Sequence, residues 1–129
     1  MVMTEQLHDP EAFLPLTSAE FHILLALANK ERHGYSIMQA IAERTQEKTK
    51  IGPATLYRSL KRLLDTELIN EVKECSLHDS DDERRRYYRL TELGRQVVRA
   101  EVERLKELVS EAYKNDLMYT TGRASGRRP

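Results

Sequence analysis

One cysteine, no tryptophan, five glycines and four prolines are found among the 129 residues. The single thiol, Cys75, leaves no intramolecular disulfide framework. No run approaches the roughly 20 apolar residues that a membrane span requires. The opening MVMTEQLHDP lacks a basic stretch followed by an apolar core, so no secretory signal is read there. Together these features point to the cytoplasm and to a protein without membrane contact. Catalytic signatures are missing as well: no phosphate-cradling glycine loop, no nucleophile elbow, no metalloprotease histidine pair. His8, His22, His33 and His78 are scattered, whereas a structural zinc site needs four closely arranged ligands. His78 beside Asp79, Asp81 and Asp82 is the one cluster of ligand types. No enzyme, metal or cofactor is therefore expected.

Net charge is also lacking, with 21 basic residues against 21 acidic ones. That argues against a general nucleic-acid coat but not against a local basic patch. The charges are unevenly placed. From 44 to 62 there are six basic residues and one acidic; from 63 to 83, eight acidic and one basic; from 84 to 89, four arginines and no acid. Two basic blocks flank an acidic insert. If the fold brings them to one face, they form the electrostatic footprint of a DNA binder.

What the chain does have is helical periodicity. With 40% apolar and 33% charged residues and a mean hydropathy of −0.64, it reads as one charged, helix-rich domain. The stretch Ile51–Ile69 organises the reading. Pro53 suits a first helical position, where its missing N–H has no helical partner. Leu56, Leu60, Leu63 and Leu64 fall on one face of a 3.6-residue helix. Ala54, Thr55, Arg58, Lys61 and Arg62 fall on the other, with Tyr57 and Ser59 flanking. Cations and hydroxyls on such a front can meet phosphates and base edges, and small methyl groups can meet thymine. An ordinary solvated helix face is the plain alternative.

Before it, Thr17-Ser18-Ala19-Glu20 is a capping box that opens a helix apolar on nearly every side, Phe21 to Ala28. Phe13, Leu14 and Leu16 can dock an N-terminal arm. After a polar break at 29–33, Gly34 opens a second helix, Tyr35 to about Gln46, and a polar turn with Lys48 and Lys50 leads to Pro53. Two short helices joined by a polar turn, the second with a basic front, form a helix-turn-helix. Leu68–Lys73 and Arg84–Leu90 read as strands of a hairpin across a polar loop, a wing whose arginines can reach the minor groove or the backbone. The alternative for Arg84, Arg85 and Arg86 is a solvated strand edge. Tyr88 is read as core, and Tyr35 as core or phosphate contact. Thr91 caps a last helix, Glu92 to about Asn115. There Val98, Val102, Leu105, Val109 and Ala112 run at spacings of 4, 3, 4 and 3, a seam of about two heptads. Val97, Leu108 and Tyr113 broaden it, and Glu101, Glu103, Arg104, Lys106, Glu107 and Glu111 are read as surface. Residues 117–129 read as a disordered tail.

Three segments carry a family resemblance: His33-Gly34-Tyr35-Ser36-Ile37; Pro53-Ala54-Thr55-Leu56-Tyr57 with Leu60 and Leu63; and Arg85-Arg86-Tyr87-Tyr88-Arg89-Leu90-Thr91-Glu92-Leu93-Gly94. In this order and spacing they resemble the PadR family of winged-helix transcriptional regulators, over about residues 17 to 113. The resemblance implies a homodimer on a two-fold operator, usually a repressor, with the last helix against the partner subunit. The single C-terminal helix is similar to the family's short branch. Ala54 stands where the family often has Gly, and Arg58 where it often has Pro, so base preference does not carry over. Some short-branch members stack planar drugs between subunits. With no Trp, and only Tyr113 and Tyr119 near the last helix, the residues argue against that here.

The expected fold is therefore mainly α with a small β-hairpin: a winged helix-turn-helix plus a long C-terminal dimerisation helix. Its expected parts are an arm (1–16), a DNA-binding unit (17–90), a dimerisation helix (91–116) and a tail. The expected function is sequence-specific DNA binding as a homodimeric repressor. Candidate DNA contacts are Tyr35, Lys48, Lys50, Ala54, Thr55, Tyr57, Arg58, Lys61, Arg62, Arg84, Arg85 and Arg86. Candidate dimer contacts are Val98, Val102, Leu105, Leu108, Val109 and Ala112. Expected partners are an operator duplex, a second copy and room for an unidentified small-molecule effector. The rival reading is a winged-helix protein-interaction module without a specific operator.

Overall fold

A computed structural model describes residues 9–72 and 86–117. Its helices are α1 (Ser18–Ala26), α2 (Gly34–Arg44), α3 (Pro53–Asp65) and α4 (Glu92–Lys114); its strands are β1 (Arg32–His33), β2 (Ile69–Val72) and β3 (Tyr87–Leu90). A single 3-10 turn, Pro10–Phe13, precedes them and packs on α4. The architecture is the mainly α winged helix that the residue pattern predicts.

The capping box forms as written. The Glu20 backbone N–H donates to Thr17 Oγ1, and the Thr17 N–H donates to Glu20 Oε1, each at 3.0 Å. The other end of α1 has no basic residue of its own. Three arginines from elsewhere supply the donors instead: Arg44 to Leu25 O, Arg32 to Ala26 O and Arg95 to Ala28 O. Cations at a helix C-terminus satisfy its last carbonyls and oppose its negative dipole end. Ile23, Leu24 and Ala26 of α1 are fully buried, with Ile37 and Ile41 of α2 and Leu56, Leu60 and Leu63 of α3 around them.

Glycine is scarce, and these helices end without it. At the ends of α2, α3 and α4 the chain turns through Gln46, Glu67 and Asp116, all with positive φ. Each end closes by paired backbone bonds; for α3 they run from Leu68 N to Leu63 O and from Glu67 N to Leu64 O, both 3.0 Å. This is the Schellman closure that glycine usually serves.

The sheet departs from the expected hairpin. The polar break at 29–33 contains β1, and β3 is the central strand, antiparallel to β1 on one side and β2 on the other. Tyr88 is buried as read, 5% exposed. The described part of the second strand starts at Tyr87, with Arg86 just before it. Arg84, Arg85, Cys75, His8, His78, Asp79, Asp81, Asp82, Tyr119 and the tail from 118 lie outside the described residues.

Thr91 fastens the start of α4 to the segment that leads into β2. Thr91 Oγ1 reaches Glu67 O and Leu68 O, and accepts from Gly94 N at 2.9 Å. A β-carbon on Gly94 would strike the Leu68 carbonyl oxygen, so a side chain there would push the helix off the strand.

The first half of α4 lies on the core, and this corrects two readings. Val97 is fully buried instead of widening the seam. Glu101, read as surface, is 2% exposed. Its carboxylate accepts from Arg104 Nε at 2.6 Å and Nη2 at 3.0 Å, and from the Leu16 backbone N–H at 3.1 Å. It thereby ties the N-terminal segment to α4. The Arg104 hydrogen bond holds this carboxyl below its ordinary value, against the opposing effect of burial. The resulting stability is fully present above the usual carboxylate range and is lost as pH falls through the depressed value. Glu101→Gln should cost about 1–3 kcal/mol at pH 7. The gap to wild type should begin to narrow below about pH 4.3. Urea midpoints at neutral and acid pH check both; an unchanged gap across that range would remove the charge from the explanation.

Candidate nucleic-acid interface

The cationic front is set by how α3 is seated. Leu56, Leu60 and Leu63 are at most 2% exposed and face α1, α2 and β2. The opposite face then points outward: Ala54, Tyr57, Arg58, Lys61 and Arg62 are exposed, and Thr55 and Ser59 are half-buried on its flank. Gly52 is the N-cap of α3 and supplies no side-chain cap. The first-turn N–H groups are left open at the positive end of the helix dipole.

A second helix contributes at its own start. His33 caps α2, its Nδ1 accepting from Ser36 N at 3.2 Å, and its ring meets Tyr87 edge-on at 5.2 Å. A β-carbon on Gly34 would lie 2.7 Å from Tyr57 Oη. Glycine there leaves room for Tyr57 to cross the start of α2. Tyr35 and Tyr57 are 60% and 54% exposed, so two phenols border the cationic front. Burial, and then the charge of Glu71, pushes the Tyr88 phenol above its ordinary value.

The turn before α3 is braced by Thr45, whose Oγ1 donates to Ile41 O at 2.9 Å and accepts from Thr49 N at 3.0 Å. Lys48 and Lys50 are exposed on it. On the wing, Arg86 is exposed beside Tyr87. The structure thus brings Tyr35, Lys48, Lys50 and Arg86 into the same domain as the α3 front and leaves each accessible.

Most of these cations already have an acidic neighbour: Lys50–Glu47 at 3.4 Å, and Lys61–Asp65, Arg62–Glu20 and Arg86–Glu71 at 3.5 Å each. Exposed pairs contribute about 0–1 kcal/mol, so a phosphate can take the cation over. Arg62 differs because the Glu20 side chain is only 8% exposed. Its partner is the carboxylate of the capping box, a role not visible in the spacing of α3. Arg58 and Lys48 have no ion-pair partner among the described residues.

The candidate dimer residues separate along α4. Val98 is partly buried against the chain's own core. Val102, Leu108 and Val109 are exposed, while Leu105 and Ala112 are half-buried. Val102, Leu105, Val109 and Tyr113 line an apolar groove with Lys106 and Ser110 at its margin. Among the described residues no helix is long and apolar enough to cross a membrane, and no three His, Cys, Asp or Glu gather as a metal site would require.

Residues 23–100 match the model of the transcriptional regulator PadR-like family. An uncharacterised protein of Lysinibacillus sphaericus is 42% identical over 74 residues, which are 57% of this chain and 64% of that one. The chain thus spans less than two thirds of this relative's length. Among solved structures, a transcriptional regulator from Clostridium thermocellum superposes with a TM-score of 0.64 at 25% identity, covering 77% of this chain and 92% of that one. Bacillus subtilis PadR in complex with operator DNA gives 0.58 at 24% identity, covering 68% and 48%. The latter likeness is one of fold.

Arg62 and Lys61 should respond differently to truncation. Arg62→Ala should lower stability by about 1 kcal/mol, because it leaves a nearly buried carboxylate without its cation. Lys61→Ala should stay within about 0.5 kcal/mol. Equal losses in urea denaturation would mean that Glu20 gains nothing from Arg62.

Proposed function

This chain belongs to the PadR-like family of transcriptional regulators, and we propose that it is a homodimeric, sequence-specific DNA-binding repressor. The family is one of regulators, not of enzymes. One observation carries the proposal: α3 turns its leucines inward and its Ala54, Arg58 and Lys61 outward, with Thr55 half-buried beside them. In this reading residues 17–90 form the DNA-binding unit. α3 enters the major groove with its N-terminal turns toward the base edges. Tyr35, Tyr57, Lys48 and Lys50 grip the backbone beside it, and the wing arginines Arg84, Arg85 and Arg86 reach the neighbouring groove or phosphates. The open first turn of α3 suits a phosphate oxygen. B. subtilis PadR, which shares the fold, is in complex with operator DNA, and this supports duplex DNA as the partner.

The second copy is assigned to α4, with residues 91–116 as the dimerisation helix. Its outer half exposes Val102, Leu108, Val109 and Tyr113, and the heptad spacing from Val98 to Ala112 fits a partner helix. A two-fold dimer then places two reading helices about one DNA turn apart, roughly 34–36 Å. An effector that altered that separation would regulate binding.

Fluorescence anisotropy with duplex from upstream of the protein's own gene, against scrambled duplex, tests the DNA reading. The upstream duplex should bind more tightly, with log affinity falling about 0.9 per neutralised phosphate per log unit of salt. Equal, weak binding to both, and to every duplex in a random library, would overturn it. The double variant Val102→Asp with Leu105→Asp should sediment as a folded monomer. A dimer that persists would move the interface off α4.

A further inference from the structure

Arg58 differs from Lys61 and Arg62, the other cations of α3, in two independent ways, and both bear on what it touches. The first is direction. At about 100° per residue, the buried leucines of α3 define an inward direction, and Ala54 and Arg58 straddle its opposite. Lys61 and Arg62 lean about 50° to either side of that line. In a major groove about 12 Å wide, the base edges form the floor and the phosphates the walls. A side chain at the centre of the face meets the floor, and chains leaning to its flanks meet the walls. Ala54, one turn earlier on the same line, has only a methyl group and lets the helix sink.

The second is pairing. Lys61 is drawn toward Asp65 and Arg62 toward Glu20. Arg58 is exposed and makes no ion pair with any described residue. Its guanidinium keeps all its donors and gives up no internal contact on binding. A planar fork of this kind matches the O6 and N7 acceptors of guanine, which share one edge in the groove.

We propose that Arg58 is the specificity-determining residue of this chain and reads a guanine in each half-site, while Lys61 holds phosphate and Arg62 stays with Glu20. The inference rests on the DNA-binding reading above and assigns its sequence preference.

The test is a selection from a random duplex library with the full-length protein, followed by titration of duplexes carrying each base pair at every enriched position. Wild type should show one position per half-site where guanine is preferred about 5- to 150-fold over other bases. Replacing that guanine by 7-deazaguanine, which lacks the N7 acceptor, should lose most of the preference. Arg58→Ala should abolish the preference at that position alone and leave the other enriched positions ranked as before. Arg58→Gln should move it toward adenine, whose N6 and N7 suit an amide. Because Arg58 is exposed and pairs with no described residue, both variants should melt with wild type. A uniform loss on every duplex with the base ranking intact would overturn the assignment and make Arg58 a phosphate contact, leaving the DNA reading standing. No enriched sequence with wild type would overturn the DNA reading itself.

Discussion

Three leucines on the back of α3 decide where everything on its front can point. Leu56, Leu60 and Leu63 are buried against α1, α2 and β2. Each buried side chain of this size contributes roughly 1.5–3 kcal/mol. Rotating α3 by half a turn would expose all three and take Arg58 and Lys61 out of water, which costs several kcal/mol per ion. The rotational setting of the helix is thus fixed by burial. Gly34 adds a fit of shape, since a β-carbon there would crowd the Tyr57 hydroxyl, which would have to shift from the start of α2. Orientation of the outer face is a by-product of core packing, and the exposed residues on it are free to vary without disturbing it.

α4 depends on the same economy at a different place. Its first half is committed to the core through Gly94, Val97 and Glu101, and its second half leaves an apolar groove open. Thr91 and Gly94 lock its start to the turn after α3. Glu101 locks its middle to Leu16. With two fixed points, α4 holds a set angle to the reading helix. In the proposed dimer, a partner on the outer half of α4 would be joined to α3 through these contacts, as a fixed half-site spacing requires.

Much of this was legible in the sequence because it is local. The 3.6-residue period of α3, Pro53 at its start, the Thr17/Glu20 capping box and the burial of Tyr88 each depend on residues a few positions apart. The parts that were not legible are those settled by distant partners. β1 is two polar residues whose strand character comes only from pairing with Tyr87 and Tyr88. Glu101 looks like any carboxylate in a charged helix, since Leu16 lies 85 residues away. Val97 sits next to Val98, and the hydrophobic pattern cannot say which valine faces its own core. The helix ends at Gln46, Glu67 and Asp116 carry no glycine to announce them. At the candidate interface the composition of the α3 front was readable, but not the diversion of Arg62 to Glu20, 42 residues away.

The zero net charge takes on a different meaning once the pairs are placed. Long-range steering by the whole molecule is weak when its charges balance, so attraction to a duplex falls to the local front. That front is itself partly neutralised, because Lys50, Lys61 and Arg86 each stand beside a carboxylate. Such exposed pairs exchange readily, and a phosphate that captures the cation leaves an exposed carboxylate behind to be solvated. The effect is to lower the contribution of each phosphate contact without removing it. On the DNA reading proposed above, non-specific affinity is damped, while Arg58, which pairs with no described carboxylate, keeps its full capacity for a base edge. For a regulator that must leave the many wrong sites and remain on the few right ones, the ratio matters more than the absolute affinity. A cationic face largely paired internally, with a fork at its centre that no described carboxylate engages, favours that ratio.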